Sequence, residues 1–248
     1  MKTKYKIKNI HCIVQARLSS TRLPAKIFLT GCRKTLIEHL IERLKFSKKI
    51  SEIIIATPKT SKHNFFSTFF DKKKYNIFFG SENNVLERYY NCAKKFKSDI
   101  IIRVTSDCPL MDHRIIDEMI NYFHKNECDY LSNVRPRNYP LGLDVEIFSF
   151  SALKKTYLNA NKIFDKEHVT PFMWKNKDKF KILNFKSKKI KNKMNNTFRL
   201  TLDYLEDYIL IFNVFNKLYK QDKNFSLNKI LNFLKKNKKI SRINKLFI

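Results

Sequence analysis

Short apolar runs alternate with segments of helical periodicity along the first half of this chain, and that alternation restricts the fold more than any other feature. Residues 10–16 read Ile10-His11-Cys12-Ile13-Val14-Gln15-Ala16 and lead straight into polar residues. A run of that length bounded by a polar loop reads as a buried parallel strand. Residues 36–44 then place apolar side chains at 36, 37, 40, 41 and 44, the spacing of one helix face. The rhythm continues, with strands expected over 52–57, 75–79 and 99–104, helices over 61–70, 85–96 and 115–123, and an extended piece from Tyr130. Such alternation with short connections implies an α/β fold, a mixed but mainly parallel sheet with helices on both faces. Ligands of such sheets sit beyond the C-terminal ends of the strands, here the loops after Ala16, Phe79 and Val104. The second half is less regular. A strand is expected over 145–150, helices over 151–160 and 165–175, an edge strand over 180–185, a lysine-rich loop over 186–193, and closing helices over 205–218 and 226–235. No repeat or Pro-rich linker interrupts the chain, so one domain over 1–248 is expected.

Length and composition support a packed domain. The 248 residues are 43% hydrophobic, enough for a large core and unlike a disordered chain. No apolar run reaches the roughly 20 residues that span a bilayer. Residues 1–9 are basic, but the apolar run after them is too short for a signal peptide, so a cytoplasmic protein with no membrane partner is expected. Net charge is +29, from 51 Lys and Arg against 22 Asp and Glu. Taken alone, that suggests nucleic acid. The lysines, however, are spread along the whole chain among Asn, Ile, Phe and Tyr, a mixture that AT-rich codon usage produces. No nucleic-acid partner is therefore expected, while a general bias toward anionic substrates remains. The cysteines at 12, 32, 92, 108 and 128 form no Cys-x-x-Cys pair. They read as small buried thiols, neither a zinc site nor a disulfide framework.

The loop after the first strand carries the strongest chemical signal. Gln15-Ala16-Arg17-Leu18-Ser19-Ser20-Thr21-Arg22-Leu23-Pro24-Ala25-Lys26 gathers Arg17, Arg22 and Lys26 with three hydroxyls. A polyphosphate needs such a set: guanidinium forks for paired oxygens, an ammonium as a point charge, hydroxyls and loop N–H groups for the rest. A solvated basic loop is the alternative, and the position after a buried strand favours the phosphate reading. Other residues carry paired readings. Asp107, past the strand ending near Val104, suits a divalent cation or the cap of the next helix. Asp203 suits a helix N-cap, given the helical run after it. Arg88 could reach a phosphate or form a surface salt bridge. Arg103, inside an apolar strand, wants an anionic partner. Asp144 and Glu146, two apart on one strand face, suit sugar hydroxyls but would repel an acidic sugar unless a cation stands between them. Glu167 and His168, expected at the start of a helix, could face the same ligand. Arg137 and Arg199 could meet a substrate carboxylate or be surface cations. The chain holds only three glycines, Gly31, Gly80 and Gly142, and keeps them where positive φ or close approach is needed.

The basic loop resembles the signature of the CMP-sugar synthetases, Ala-Arg-x-x-Ser-x-Arg-Leu-Pro-x-Lys, and most resembles the spore-coat-polysaccharide type of cytidylyltransferase. Similar segments follow in order: Gly80-Ser81-Glu82, Val85-Leu86-Glu87-Arg88-Tyr89-Tyr90, Arg103-Val104-Thr105-Ser106-Asp107-Cys108-Pro109-Leu110, Tyr139-Pro140-Leu141-Gly142-Leu143-Asp144-Val145-Glu146, Glu167-His168-Val169-Thr170-Pro171 and Arg199-Leu200-Thr201-Leu202-Asp203. The resemblance implies a Rossmann-like, glycosyltransferase-A-type fold, with a nucleotide-binding part over about 8–133 and a sugar-binding, closing part over about 134–248. It implies CTP and a small acidic sugar as substrates, a CMP-sugar and pyrophosphate as products, and a place in surface polysaccharide or glycoconjugate biosynthesis. Related enzymes are often dimers, so a homodimer is one expectation. Gln15, Ala16, Arg17, Arg22, Lys26, Gly80, Ser81, Arg88 and Arg103 would contact the nucleotide. Arg17, Arg22, Lys26 and Asp107 would be the catalytic set, with Mg²⁺ on Asp107 and Asp203, and Asp144, Glu146, Glu167 and His168 would line the sugar. The sequence departs from the pattern at Ser19, Ala25 and Ser106, which stand where glycines are usual, and at Arg33-Lys34-Thr35 in place of Gly-Lys-Pro. Those departures keep a non-catalytic nucleotide-binding homologue among the readings. A nucleotide-sugar-dependent glycosyltransferase is disfavoured, because Ser106-Asp107-Cys108 lacks the Asp-x-Asp that chemistry uses.

Overall fold

A computed structural model describes residues 9–70, 75–186 and 198–247. Its strands are β1 (Ile10–Gln15), β2 (Thr30–Gly31), β3 (Lys34–Thr35), β4 (Glu52–Pro58), β5 (Asn76–Gly80), β6 (Ile100–Thr105), β7 (Tyr130–Ser132), β8 (Glu146–Ser149) and β9 (Ile182–Asn184). Its helices are α1 (Leu36–Lys45), α2 (Phe65–Phe69), α3 (Val85–Lys95), α4 (His113–Asn126), α5 (Phe150–Asn159), α6 (Ile163–His168), α7 (Pro171–Lys175), α8 (Leu205–Leu218), α9 (Leu227–Lys236) and α10 (Lys238–Ser241). Seven strands form one sheet in the order β5-β4-β1-β6-β8-β7-β9, and β2 and β3 make a small separate hairpin. The pairs β5·β4, β4·β1, β1·β6 and β7·β9 are parallel, while β8 runs antiparallel to both β6 and β7. The mixed, mainly parallel α/β sheet expected from the alternation is present. β8 and β9 join this same sheet, so it runs on past residue 133.

Side-chain alternation explains the two layers of helices. In β1, Cys12 and Val14 face a core shared with α1, α4, α8 and α9, while Ile13 faces the core shared with α3 and α5. Central strands buried on both faces need continuous apolar runs, which is why residues 10–16 and 100–104 read as they do. α1 opens on a capping box in which the Thr35 hydroxyl accepts from the Glu38 N–H and the Glu38 carboxylate accepts from the Thr35 N–H.

Two expected helices are broken. Residues 61–70 divide into a 3₁₀ turn over Ser61–Asn64 and α2. Residues 165–175 divide into α6 and α7 at Val169, whose φ of 71° and ψ of −54° make a γ-turn closed by the Thr170 N–H and the His168 carbonyl at 2.8 Å. Pro171 then opens α7, where its missing N–H costs nothing. Glu167 and His168 consequently stand at the end of a helix, not at the start of one. The expected lysine-rich loop over 186–193 falls, beyond Lys186, outside the described residues.

Candidate active site

The register of β1 and β6 sets Gln15 beside Thr105, so the loops leaving the two strands share one edge of the sheet. The first carries Arg17, Arg22 and Lys26, the second Ser106 and Asp107. A third segment arrives from far along the chain. The Leu202 N–H donates to the Asp107 carbonyl at 2.8 Å, and the Thr201 hydroxyl donates to the same oxygen at 3.3 Å. Gly142 lets that segment in. Its φ is +99°, and a Cβ there would lie 2.3 Å from the Leu200 carbonyl carbon and from the Thr201 nitrogen.

Asp203 is thereby delivered to the basic loop. Lys26 Nζ stands between two carboxylates, 2.8 Å from Asp203 Oδ1 and 3.6 Å from Asp107 Oδ2. Arg22 donates to Asp203 Oδ1 at 2.8 Å and Arg199 to its Oδ2 at 2.8 Å. Burial pushes the Asp203 carboxyl up, but the Lys26 hydrogen bond and the charges of Lys26, Arg22 and Arg199 outweigh it and hold the pKa below the ordinary value. The helix-cap alternatives fall for both aspartates: Asp112 caps α4, and Asp207 accepts the N–H groups of Asp203 and Tyr204 where α8 opens. Arg199 is buried and bound to Asp207 and Asp203, so it is neither a surface cation nor open to a ligand.

These residues fit a divalent ion. Asp107 and Asp203 converge on one ammonium, that of Lys26. No group of three or more His, Cys, Asp and Glu suited to a metal exists among the described residues. An ion held here would need phosphate oxygens to complete its shell, the usual arrangement for Mg²⁺.

The loop keeps its shape despite the missing glycines. Ala25 adopts the left-handed region at φ 51° and ψ 20°, and Arg33 does so at φ 65°. Ser19 and Ser106 have no positive φ, so their side chains meet no such strain. Leu18 is pinned from two sides: its carbonyl accepts from the Ala25 N–H at 3.1 Å, and its N–H donates to His63 Nε2 at 3.2 Å. His63 must be neutral to accept, and burial lowers its pKa. Ala16 is fully buried beneath the loop, with its N–H on the Ala56 carbonyl at 3.0 Å.

Three connected clefts follow the strand ends. The middle one, about 140 Å³, is lined by Gln15, Arg17, Arg22, Lys26, Asp107 and Asp203. A second, about 430 Å³, lies toward β5 and includes Gln15, Arg17, Ser19, Glu82, Arg88 and Glu167. Arg88 is 1% exposed, so the surface salt bridge is ruled out. Its Nη1 donates to the Ser81 carbonyl at 2.6 Å, its Nε has no partner among the described residues, and burial lowers its pKa. Gly80 makes room for it, since a Cβ there would lie 2.8 Å from Arg88 Cγ.

The third cleft, about 390 Å³, includes Arg103, Arg137, Asp144, Glu146, His168 and Thr170. Arg103 meets the anion its burial calls for, pairing with Glu146 through Nη1 and donating to Gln15 Oε1 from Nη2 at 3.2 Å. It thus joins the second and third clefts through Gln15. Glu146 also accepts from the Tyr130 and Thr170 hydroxyls. Arg137 grips Asp144 with both nitrogens. The two carboxylates that would repel an acidic sugar are therefore each neutralised by an arginine. Glu167 and His168, adjacent in sequence, face different clefts, Glu167 the one with Arg88. Sequence reasoning passed over Arg135, Phe164 and Trp174, which also line the third cleft. Trp174, the chain's single tryptophan, was the available signal.

The sequence pattern of the cytidylyltransferase family matches residues 11–244. This chain belongs to that family. Among its relatives, an uncharacterised protein of Methanocaldococcus jannaschii is 37% identical over 234 residues, covering 94% of this chain and 93% of the relative. The spore coat polysaccharide biosynthesis protein SpsF of Bacillus subtilis is 27% identical, with 83% and 85% covered. A cytidylyltransferase structure from Leptospira borgpetersenii superposes with a TM-score of 0.87 at 33% identity, covering 94% of this chain and 97% of that one. A CMP:2-keto-3-deoxy-manno-octonic acid synthetase complexed with CTP shares the fold, with a TM-score of 0.56 at 15% identity, over 72% of this chain and 90% of that one. In this cytidylyltransferase, as in those neighbours, the sheet is Rossmann-like. No helix among its described residues is long and apolar enough to cross a membrane.

Proposed function

We propose that this cytidylyltransferase transfers CMP from CTP to a hydroxyl of a small acidic sugar, releasing pyrophosphate, in the synthesis of a surface polysaccharide or glycoconjugate. The observation that carries the reading is the Lys26 ammonium standing between Asp107 and Asp203 at the C-terminal edge of β1 and β6. The cleft with Arg88 would take the nucleoside, with Ser81 and the backbone around Gly80 at the base. The middle cleft would take the triphosphate and the third the sugar. Family membership supports CTP, and the names of relatives such as SpsF support the polysaccharide setting. A cytoplasmic enzyme, where CTP is made, is the matching location.

The chain's own residues supply positioning and charge. Arg22 and Lys26 leave Asp203 for the phosphate oxygens, Arg17 closes over them from the exposed side, and Gln15 links the nucleotide to Arg103 beside the sugar. A sugar hydroxyl oxygen attacks the α-phosphorus in line and releases its proton to solvent water, the bond to the bridging oxygen breaks, and pyrophosphate departs with that electron pair. Positioning and charge neutralisation carry most of such a step. A divalent ion held by Asp107 and Asp203 would supply further neutralisation of the α-phosphate and the leaving group.

Purified protein with CTP, Mg²⁺ and a panel of nonulosonic and ketodeoxy sugar acids should release pyrophosphate. The reading fails if no sugar supports release and calorimetry shows no CTP binding. In an active preparation, Arg22→Ala and Asp107→Ala should each lower kcat/KM by about 100-fold or more, the scale of losing a charge-stabilising contact. Full activity in both variants would remove the site assignment.

A further inference from the structure

We infer that Arg135, seated over the face of Trp174, is the specificity-determining side chain of the third cleft and takes the carboxylate of the acceptor sugar. The inference rests on the proposed transfer and names which residue selects its second substrate. Arg103, Arg135 and Arg137 line this cleft against only two carboxylates, Asp144 and Glu146. Arg103 is committed to Glu146 and Arg137 to Asp144. No carboxylate among the described residues pairs with Arg135. Its guanidinium carbon instead lies 3.6 Å from the centre of the Trp174 ring. A cation–π contact of this length anchors the guanidinium at the cleft wall, and its side chain donates no hydrogen bond to a protein group among the described residues, so its forked donors remain for a carboxylate.

Charge bookkeeping selects the ligand class. With two of three arginines neutralised within the protein, the charged side chains of the cleft leave a single positive charge. That matches a carboxylate, which carries one negative charge. A phosphate monoester, with a charge of about −1.5 to −2 at neutral pH, would stay under-compensated. The same wall offers apolar surface from Phe164, Pro171 and Trp174 beside the cation. A sugar acid that carries a deoxy carbon or an acyl group as well as its carboxylate fits both. Arg137, one of the two residues the sequence put forward for this role, is held in its bidentate pair with Asp144, and the other, Arg199, is bound to Asp207 and Asp203.

Trp174 is the chain's only tryptophan, so its fluorescence reads ligand binding at this wall without any turnover. The protein would be titrated with ketodeoxyoctonate, N-acetylneuraminate, a neutral hexose and a hexose 6-phosphate, with and without a non-hydrolysable CTP analogue. A saturable response to one of the sugar acids is expected, with the neutral sugar and the sugar phosphate at least 10-fold weaker. Arg135→Ala should weaken sugar-acid binding by 10- to 100-fold and leave CTP binding by calorimetry unchanged, and Arg135→Lys should restore only part. In turnover, the loss should fall on KM for the sugar and not on KM for CTP. Equal sugar-acid affinity in wild type and Arg135→Ala, tighter binding of the phosphate, or no response to either acid would each overturn the inference. Loss of CTP binding and of pyrophosphate release in the wild type would instead strike the proposed transfer, a readout separate from the tryptophan signal.

Discussion

Ala25 sits at φ 51° where its family pattern has glycine, and an L-residue pays about 1–2 kcal/mol for that conformation. Ala25→Gly should therefore raise stability by about 0.5–1 kcal/mol, the relief being partly offset by the greater freedom of glycine in the unfolded chain. Urea unfolding would check it, and a loss of stability would mean that Ala25 contributes packing beyond its backbone. Gly142 is the opposite case. With backbone atoms 2.3 Å from the place of a Cβ and φ at +99°, Gly142→Ala should cost more than about 2 kcal/mol and weaken binding of a divalent ion by displacing Asp203. Asp203 itself predicts a pH effect. Its folded pKa is depressed, so its contribution is present above the ordinary carboxylate value and is lost as pH falls through the folded one. Between about pH 5 and pH 2 the wild type should lose stability more steeply than Asp203→Asn. Parallel curves for the two proteins would show that the Lys26, Arg22 and Arg199 contacts add no net stability.

At the scale of elements, the basic loop after β1 depends on a contact outside itself. The His63 ring, held by the 3₁₀ turn over Ser61–Asn64, accepts from Leu18 and exchanges a hydrogen bond with the Thr60 hydroxyl at 2.6 Å. A protonated ring has no lone pair for Leu18. Burial lowers the folded pKa, so the stabilising contribution is present above about 6.5, the ordinary value for histidine, and is lost as pH falls through the folded pKa. The melting temperature should drop on acidification from pH 7 to pH 5, and His63→Gln should reduce that drop while lowering CTP affinity at pH 7. An unchanged drop would assign the acid sensitivity to His11 and His39, whose pKa values burial also lowers. The break between α6 and α7 has a comparable local cause. A strained γ-turn at Val169 is kept where Thr170 donates to Glu146 at 2.7 Å. Periodicity could not show it, because Asp165 to Lys175 carries helix-compatible residues on both sides of the turn.

At the scale of the molecule, the described residues build around one seven-stranded sheet with three clefts beyond the ends of β1, β5 and β6, and ligand binding across them should be visible as stability. CTP with Mg²⁺ at about 100 times its Kd should add about 2.7 kcal/mol, or roughly 5–10 °C of melting temperature in a chain of this size. GTP under the same conditions should shift it far less, and equal shifts would remove the base preference. The sequence by itself determined the layered α/β fold, since a parallel sheet buried on both faces demands apolar runs and the helices over it demand a 3.6-residue period. It also singled out Arg17, Arg22 and Lys26 as one group, because the basic loop is contiguous and its charges are read in one stretch. The tertiary structure alone decided which charges are free. Asp203 meets Lys26 across a sequence separation of 177 through the opening that Gly142 leaves. Arg199 proved committed to Asp207 and Arg137 to Asp144, while Arg135 sits on Trp174 with no carboxylate partner among the described residues. Ionic pairing falls off with distance in space and is blind to distance along the chain, so only the folded molecule could settle it.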